Sequence, residues 1–249
     1  MKVSVITATI GKPQLANCIK SVREQTYKNI EHIVVVDGDE HWEKANPILH
    51  EASFPRGKTS SDKLIVLPFS TGKDRFNGHR IYGASTYLAS GDFFIWLDDD
   101  NALEPTHVED LVSLVQKKNL DWAYSFRQIV DDNGKFICYD DCESLGMWKS
   151  VINDFFIDLN CFFVKREVAL GMSPVWYRKA REPGVVEIDR AISSILMNEN
   201  NKLKFDCTRD YTVKYRVGST GISVQADFFL KGNKAMLQYY NNDLPWKTK

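Results

Sequence analysis

The chain has 249 residues, 43% of them hydrophobic and 26% charged, and its 32 basic and 33 acidic residues give a formal net charge of −1. A chain of this length can bury a substantial core without disulfides or a structural metal. The balanced charge excludes generic nucleic-acid binding, which requires a basic excess or patch. We therefore expect one ordinary globular domain that binds neither DNA nor RNA.

The cysteines and the hydropathy of the chain indicate its compartment. The five cysteines are scattered and odd in number, and they lack the spacing of a zinc site. The amino terminus has no signal-peptide pattern, and no run of 18 apolar residues occurs in the sequence. These features predict a cytoplasmic protein that does not span a membrane.

Short apolar runs alternate with helical patterns in the first half of the chain, which is typical of a parallel sheet covered by helices. The predicted strands are residues 3–9, 32–36, 64–68 and 93–97. Helices are predicted from Leu15 to Val22, within the polar linker around Pro47, from Ile81 to a left-handed cap at Gly91, and after Pro105.

After residue 120 the pattern changes. The turn dipeptide Asn133-Gly134 separates residues 122–130 from residues 135–139, which predicts an antiparallel hairpin. The remaining predicted elements are strands at 161–164 and 211–217, a helix at 188–196 and a covering pair of helices at 224–240. We therefore expect an α/β fold that binds its ligand at the carboxyl ends of its strands.

Three consecutive carboxylates, Asp98, Asp99 and Asp100, follow the most apolar predicted strand. Like charges this close oppose folding unless a cation neutralises them. Oxygen ligands favour Mg²⁺ or Mn²⁺, and an ion held by one or two carboxylates takes its other ligands from phosphates and water. The cluster thus predicts a metal and a nucleotide diphosphate. The alternative is a solvated acidic turn in which Asn101 caps the next helix.

Two other strand ends should lie on the same edge of the sheet. Asp37 ends the second strand and can accept hydrogen bonds from a ring N–H or a ribose hydroxyl, although an Asp-Gly turn explains it equally well. Thr7, Ala8 and Thr9 end the first strand and offer hydroxyls and backbone amides.

This order of motifs resembles the family 2 glycosyltransferases of the GT-A fold, with Ala89-Ser90-Gly91-Asp92 preceding the acidic strand end. The resemblance covers roughly the first 120 residues well. It implies one GT-A domain with a mixed, mainly parallel sheet flanked by helices. Residues 1–120 would bind the nucleotide-sugar, and residues 121–249 would bind the acceptor.

The resemblance also implies roles for these residues. The base and ribose would be held by Thr7, Ala8, Thr9 and Asp37, with Asp98 near the ribose and Asp99 beside it. Asp100, with Asp98, would bind Mn²⁺ or Mg²⁺, and Arg80 would lie near the diphosphate. Many relatives add a late histidine ligand, which is absent because the last histidine is His107.

An inverting family needs a general base for the acceptor hydroxyl. The resemblance places it at Asp189, in the stretch Glu187-Ile188-Asp189-Arg190. The usual preceding Glu is replaced by Ile188, so Glu187 is the alternative base. Either acid could instead complement the dipole of the helix that begins there.

Acceptor contacts are expected from aromatic and polar residues of the second half, because aromatic rings pack on sugar faces. The candidates are Trp148, Asn160 and Trp176, with Tyr177 and Arg178. The segment 228–240 mixes aromatics with lysines. It could contact the inner face of a membrane, or it could pack on the domain or on a second subunit.

Together these expectations describe transfer of a hexose or N-acetylhexosamine from a UDP-sugar to a hydroxyl of a lipid-linked or protein-attached glycan. The resemblance makes bacterial surface polysaccharide or protein glycan synthesis the expected pathway. One alternative is a Mg²⁺-dependent nucleotidyltransferase, but residues 10–13 contain too little glycine for its phosphate loop. Another is a non-catalytic nucleotide-sugar-binding subunit. A phosphatase would place its Asp-x-Asp motif after the first strand.

Overall fold

The computed structural model describes residues 1–55, 61–73, 76–152, 154–178, 187–218 and 224–247. The strands are β1 (Val3–Thr9), β2 (Ile30–Val36), β3 (Lys63–Val66), β4 (Phe93–Trp96), β5 (Ala102–Leu103), β6 (Trp122–Val130), β7 (Phe136–Tyr139), β8 (Phe162–Lys165) and β9 (Phe205–Arg216). The helices are α1 (Leu15–Arg23), α2 (Trp42–Glu51), α3 (His79–Ser85), α4 (His107–Lys118), α5 (Arg166–Met172), α6 (Glu187–Leu196) and α7 (Ala226–Tyr239).

The strands of the described residues form one mixed sheet in the order β3-β2-β1-β4-β8-β6-β9-β5, and β7 pairs with β6 outside this path. The first four strands are parallel to one another. β8 is antiparallel to both β4 and β6, whereas β6 and β9 are parallel. The expected mixed α/β fold is therefore confirmed, with a parallel half and a mixed half.

The sequence explains why the inner strands of the parallel half are buried. All residues of β2 and β4 are buried, as the apolar runs at 33–36 and 93–96 predict, and β2 also buries Glu31 and His32. Helix α1 buries Leu15, Cys18, Ile19 and Val22, the residues with helical spacing. Paired registers, Thr9 with Val36 and Ile6 with Trp96, bring the carboxyl ends of β1, β2 and β4 to one edge. The loops after these strands therefore meet there.

Three expectations about element boundaries were wrong. Helix α3 ends at Ser85, and Gly91 is absent from the residues with positive φ. A Cβ at Gly91 would lie 2.4 Å from Oγ of Ser4, so glycine is required there for close packing rather than for a left-handed cap. Strand β9 begins at Phe205, and α7 is one helix where a pair was expected. Within the described residues, no helix has the length and apolar character needed to cross a bilayer.

Candidate functional site

A cleft of about 550 Å³ opens at the edge where the parallel strands end. Its lining comes from the loops after β1, β2, β3 and β4, from α3 and from the end of β9. The lining residues are Ala8, Thr9, Ile10, Lys12, Asp37, Ser70, Gly72, Lys73, Asn77, Gly78, Tyr82, Asp98, Asp99, Asp100, Asn101, Tyr215 and Arg216. The three predicted strand ends therefore meet in one cavity of the size of a small-molecule site.

The acidic cluster after β4 is neutralised by a cation of the chain itself. Nζ of Lys12 lies 2.7 Å from Oδ2 of Asp100 and 3.2 Å from Oδ1 of Asp99. Burial lowers the pKa of Lys12, but Asp99 and Asp100 outweigh burial and raise it above its usual value. The ammonium group therefore remains charged and reduces the repulsion among the carboxylates.

Asp98 is held on both of its oxygens. The hydroxyl of Tyr82 donates to Oδ1 at 2.7 Å, and Nδ2 of Asn160 donates to Oδ2 at 3.0 Å. Burial, together with the charge of Asp100, raises the pKa of Asp98 to about 6. These contacts fix the side chain at the cleft before any ligand binds.

The middle carboxylate, Asp99, is anchored to the end of β1. It accepts a hydrogen bond at 2.7 Å from the hydroxyl of Thr9, and that hydroxyl accepts one from the backbone N–H of Gly11. Burial is the main reason that the pKa of Asp99 is raised. Thr9 therefore links the first loop of the cleft to the acidic cluster.

Asp37 organises the opposite wall of the cleft. Its carboxylate accepts hydrogen bonds from Oγ of Ser70 at 3.0 Å, from the N–H and hydroxyl of Thr71 at 2.6 and 2.9 Å, and from the N–H of Gly72 at 3.0 Å. A Cβ at Gly72 would lie 2.7 Å from Oδ2 of Asp37. The carboxylate thus shapes the loop at residues 70–72 through direct contact with its backbone.

The carboxylates of the acidic cluster offer few free ligands for a divalent ion. Within the described part of the chain, no group of three acidic, histidine or cysteine side chains is arranged to hold a metal. Asp98 and Asp99 are engaged by protein donors, whereas the side chain of Asp100 keeps 20% of its surface exposed. An ion that takes most of its ligands from phosphate and water would fit Asp100, where it would compete with the ammonium group of Lys12.

The candidate base Asp189 lies in the first turn of α6, next to the cleft rather than on its lining. Its Oδ2 accepts a hydrogen bond at 3.3 Å from the backbone N–H of Leu159. Burial, and then the charges of Asp158 and Asp98, raise the pKa of Asp189 well above its usual value. Glu187 begins the same helix, but its side chain lies outside the described residues.

The sequence matches the description "Glycosyl transferase family 2" over residues 4–173. The chain belongs to glycosyl transferase family 2. This match runs from β1 to the residues after β8, and it includes the cleft-lining loops after β1, β2, β3 and β4 but not β9. It confirms the resemblance drawn from the strand ends and the acidic cluster, and it identifies the chain as a glycosyltransferase domain.

Solved structures show the same fold. The crystal structure of S. aureus TarS 1-349 superposes with a TM-score of 0.62 at 15% identity, covering 87% of this chain and 60% of that one. Its complex with UDP-GlcNAc superposes with a TM-score of 0.64 at 14% identity, covering 97% of this chain and 67% of that one. This family 2 chain spans less than two thirds of the length of the first of these structures. It matches no curated protein in sequence.

Two residues expected at the nucleotide of this family 2 domain lie off the cleft lining. The hydroxyl of Thr7 is buried and lies 3.0 Å from Nε2 of His32. The guanidinium of Arg80 packs 3.3 Å from the ring centre of Phe76 and donates to the carbonyl of Thr71. Arg80 therefore contacts the loop at residues 70–72 through the backbone carbonyl of Thr71.

The expected acceptor residues are placed differently from one another. Asn160 and Trp176 are completely buried. Trp176 packs against Trp96 at 5.1 Å between ring centres, and both amide hydrogens of Asn160 are used by carboxylates. Neither side chain presents a surface to an acceptor in this structure. Trp148 is partly exposed, and Tyr177 is 53% exposed.

Sequence reasoning missed several residues of the site. Lys12 follows the end of β1 by three positions, which is close enough to have suggested a partner for the carboxylates. Arg216 ends the alternating strand β9, where it donates to the carbonyl of Asp100 at 2.9 Å. The hydroxyl donor Tyr82 lies on the buried face of α3 and gave no separate signal.

Proposed function

We propose that this glycosyltransferase domain transfers a hexose or N-acetylhexosamine from a UDP-sugar to a hydroxyl of a glycan acceptor. The observation that carries the proposal is the cleft at the strand ends, in which three fixed carboxylates face the loops after β1 and β3. TarS, whose fold is similar, has been crystallised with UDP and with UDP-GlcNAc. A UDP-sugar is therefore the donor that we propose.

The nucleotide would lie between the end of β1 and the loop shaped by Asp37. Ala8 and Thr9 line this part of the cleft, together with Gly72. Asp98 would face the ribose, and Asp100 would face the diphosphate. A bound Mn²⁺ or Mg²⁺ would offset the charge that develops on the departing diphosphate, and Asp100 is the residue that would hold it.

Asp189 is the base that we propose for an inverting transfer. A carboxylate removes the proton from the acceptor hydroxyl while that oxygen attacks the anomeric carbon from the face opposite the diphosphate. Burial, and then the charges of Asp158 and Asp98, raise the pKa of Asp189, which makes its deprotonated carboxylate a stronger base than that of an ordinary aspartate. Its hydrogen bond from Leu159 fixes one oxygen of the carboxylate.

The acceptor that we propose is a growing glycan, either lipid-linked or attached to protein, in bacterial surface polysaccharide or protein glycan synthesis. The exposed aromatic side chain of Tyr177 and the partly exposed Trp148 could pack on its sugars. The domain would act in the cytoplasm, with α7 available for contact with the membrane face or a second subunit. Leu230, Leu237 and Tyr239 of α7 are exposed.

The test is release of UDP from a panel of UDP-sugars, with and without acceptor glycans and with Mn²⁺, Mg²⁺ or EDTA. We expect turnover of one donor class by the unmodified protein. Asp189→Asn should lower kcat by roughly 10²–10⁴-fold and retain UDP binding. Glu187→Gln tests the alternative base and should retain most of the activity. A large loss of kcat in Glu187→Gln, with activity kept in Asp189→Asn, would assign the base to Glu187 instead. UDP binding with no turnover of any donor would support the non-catalytic alternative instead.

A further inference from the structure

Behind the cleft, the buried guanidinium of Arg127 is surrounded by three carboxylates. Arg127 lies on β6 and is 1% exposed. It donates to Asp140 at 2.7 Å, to Asp158 at 2.5 Å and to Glu143 at 2.6 Å. Burying such charges often stabilises a fold less than apolar packing of the same volume would. A requirement for fixed geometry explains this cluster better than a contribution to stability does.

Asp158 connects the guanidinium to the donor side of the cleft. Its Oδ1 accepts hydrogen bonds from the backbone N–H of Asn160 at 3.0 Å and from Nδ2 of the same residue at 2.8 Å. The Asn160 amide also donates to Oδ2 of Asp98 at 3.0 Å and accepts from the backbone N–H of Asp98 at 2.7 Å. The position of Asp98 is therefore fixed by Asn160, and that of Asn160 by Asp158.

The residue between these two contacts the proposed base. The backbone N–H of Leu159 donates to Oδ2 of Asp189 at 3.3 Å. Three consecutive residues, 158–160, thus bind Arg127, Asp189 and Asp98 in turn. They belong to one short turn that precedes β8, so the three contacts cannot move independently.

We propose that the turn at residues 158–160, anchored by Arg127, positions Asp98 and Asp189 relative to each other, with Asp158 and Asn160 as its positioning residues. The inference rests on the proposed function, because a transfer between two bound sugars requires the carboxylates of Asp98 and Asp189 to keep fixed positions relative to each other. Reacting atoms must approach to about 3–3.5 Å, and a misplacement of about 1 Å costs on the order of 100-fold in rate. The turn fixes the relative position of these two carboxylates before the substrates bind.

Asp158→Asn tests the anchor. The amide keeps one oxygen for Asn160 but loses the charged oxygen that faces Arg127. Burial raises the pKa of Asp189 most, Asp158 and Asp98 raise it further, and Arg127 lowers it. Removing the charge of Asp158 should therefore shift the rising limb of the pH profile of kcat to lower pH. We also expect a fall in kcat of about tenfold or more, with UDP affinity within threefold of the unmodified protein.

Asp154→Asn is the matched control, since Asp154 lies four residues earlier and pairs with Arg190 through a half-exposed carboxylate. This variant should keep both kcat and the pH profile. A residue that only stabilises the fold would lower the active fraction without moving the pH profile. If the unmodified protein is active and Asp158→Asn does not shift the pH profile of kcat, the inference is overturned while the proposed function stands. A complete lack of turnover in the unmodified protein would overturn the proposed function as well.

Asn160→Ala provides a second test if Asp158→Asn fails to fold. It removes the donor to Oδ2 of Asp98 and leaves Arg127 and its three carboxylates in place. We expect UDP to bind about tenfold more weakly, as measured by calorimetry on protein with a native circular dichroism spectrum. Asn160→Ser, which can still donate one hydrogen bond, should recover part of the affinity. Unchanged UDP affinity in Asn160→Ala would show that Asp98 does not depend on this turn.

Discussion

The ammonium nitrogen of Lys12 lies 2.7 Å from Oδ2 of Asp100, at the carboxylate where the resemblance places a metal ion. The same nitrogen lies 3.2 Å from Asp99. The positive charge of Lys12 at this oxygen opposes the binding of a second cation to the same carboxylate. Metal binding at the cluster is therefore expected to compete with Lys12, which neutralises the carboxylates in the free protein.

Lys12→Met should strengthen binding of Mn²⁺ in the absence of nucleotide by about tenfold, because a competing cation is removed. The variant should also lose about 1 kcal/mol of stability without metal, since two neighbouring carboxylates lose their partner and the pair is partly exposed. Thermal unfolding with and without Mn²⁺ measures both effects. Lys20→Met on the exposed face of α1 is the control. Equal Mn²⁺ stabilisation of the two variants would argue against competition.

Asp37→Asn should disrupt the loop at residues 70–72. The carboxylate accepts four hydrogen bonds, but an amide offers one acceptor oxygen and directs N–H groups toward other donors. We expect a loss of about 1–3 kcal/mol in unfolding free energy and at least a tenfold weaker UDP affinity. Urea titration and calorimetry provide the measurements. Asp39→Asn, at an exposed position two residues later, should show neither effect.

Glu31 is expected to make folding stability depend on pH. Burial raises the pKa of its carboxyl, but hydrogen bonds from Ser4 and Ser90 and the ammonium group of Lys2 outweigh burial and lower it to about 2. Because the pKa is depressed in the folded state, this stabilisation is complete above the ordinary value of 4.5 and is lost as the pH falls toward 2. The shift corresponds to on the order of 3 kcal/mol.

Glu31→Gln should therefore be less stable than the unmodified protein at pH 7, and the difference should shrink between pH 4.5 and 2. Urea unfolding across this range measures it. Glu24→Gln, at a carboxylate that is 56% exposed, is the control. A difference that stayed constant with pH would assign the loss to packing rather than to the charge.

The pH profile of the unmodified enzyme should reflect Asp189. A base acts when it is deprotonated, and burial followed by the charges of Asp158 and Asp98 raises the pKa of this carboxyl. Turnover should therefore fall, as the pH is lowered, at a higher pH than an ordinary aspartate would give. Steady-state kcat from pH 4.5 to 8.5 tests this. Activity that is flat down to pH 4.5 would exclude a carboxyl with a raised pKa as the base.

The parallel half of the fold could be predicted from sequence because its signals are local. Apolar runs ending at Thr9, Asp37 and Asp98 define strands, and parallel strands place their carboxyl ends on one edge. The order of the other strands could not be predicted in this way. Strand β8 inserts antiparallel between β4 and β6, and this arrangement depends on contacts far apart in the chain.

The same contrast between local signals and long-range contacts applies to the candidate site. The acidic cluster could be predicted because three carboxylates at a buried strand end need an explanation. Asn160 was expected to face the acceptor, yet it holds Asp98 from 62 positions away. Arg127 lies within the hairpin strand predicted at residues 122–130, and the fold surrounds it with Asp140, Glu143 and Asp158. Hydrogen-bond networks of this kind leave no periodic pattern in a sequence.

Calorimetric binding of UDP, compared with GDP, CDP and dTDP, tests the central claim that the cleft is a nucleotide-sugar site. We predict that UDP binds most tightly, that Mn²⁺ or Mg²⁺ strengthens its binding, and that Asp37→Asn and Asp100→Ala each weaken it at least tenfold while the folded state persists. Absence of binding by every nucleotide under every metal condition would contradict the account. The acidic cluster would then be a structural turn between β4 and β5 that is neutralised by Lys12.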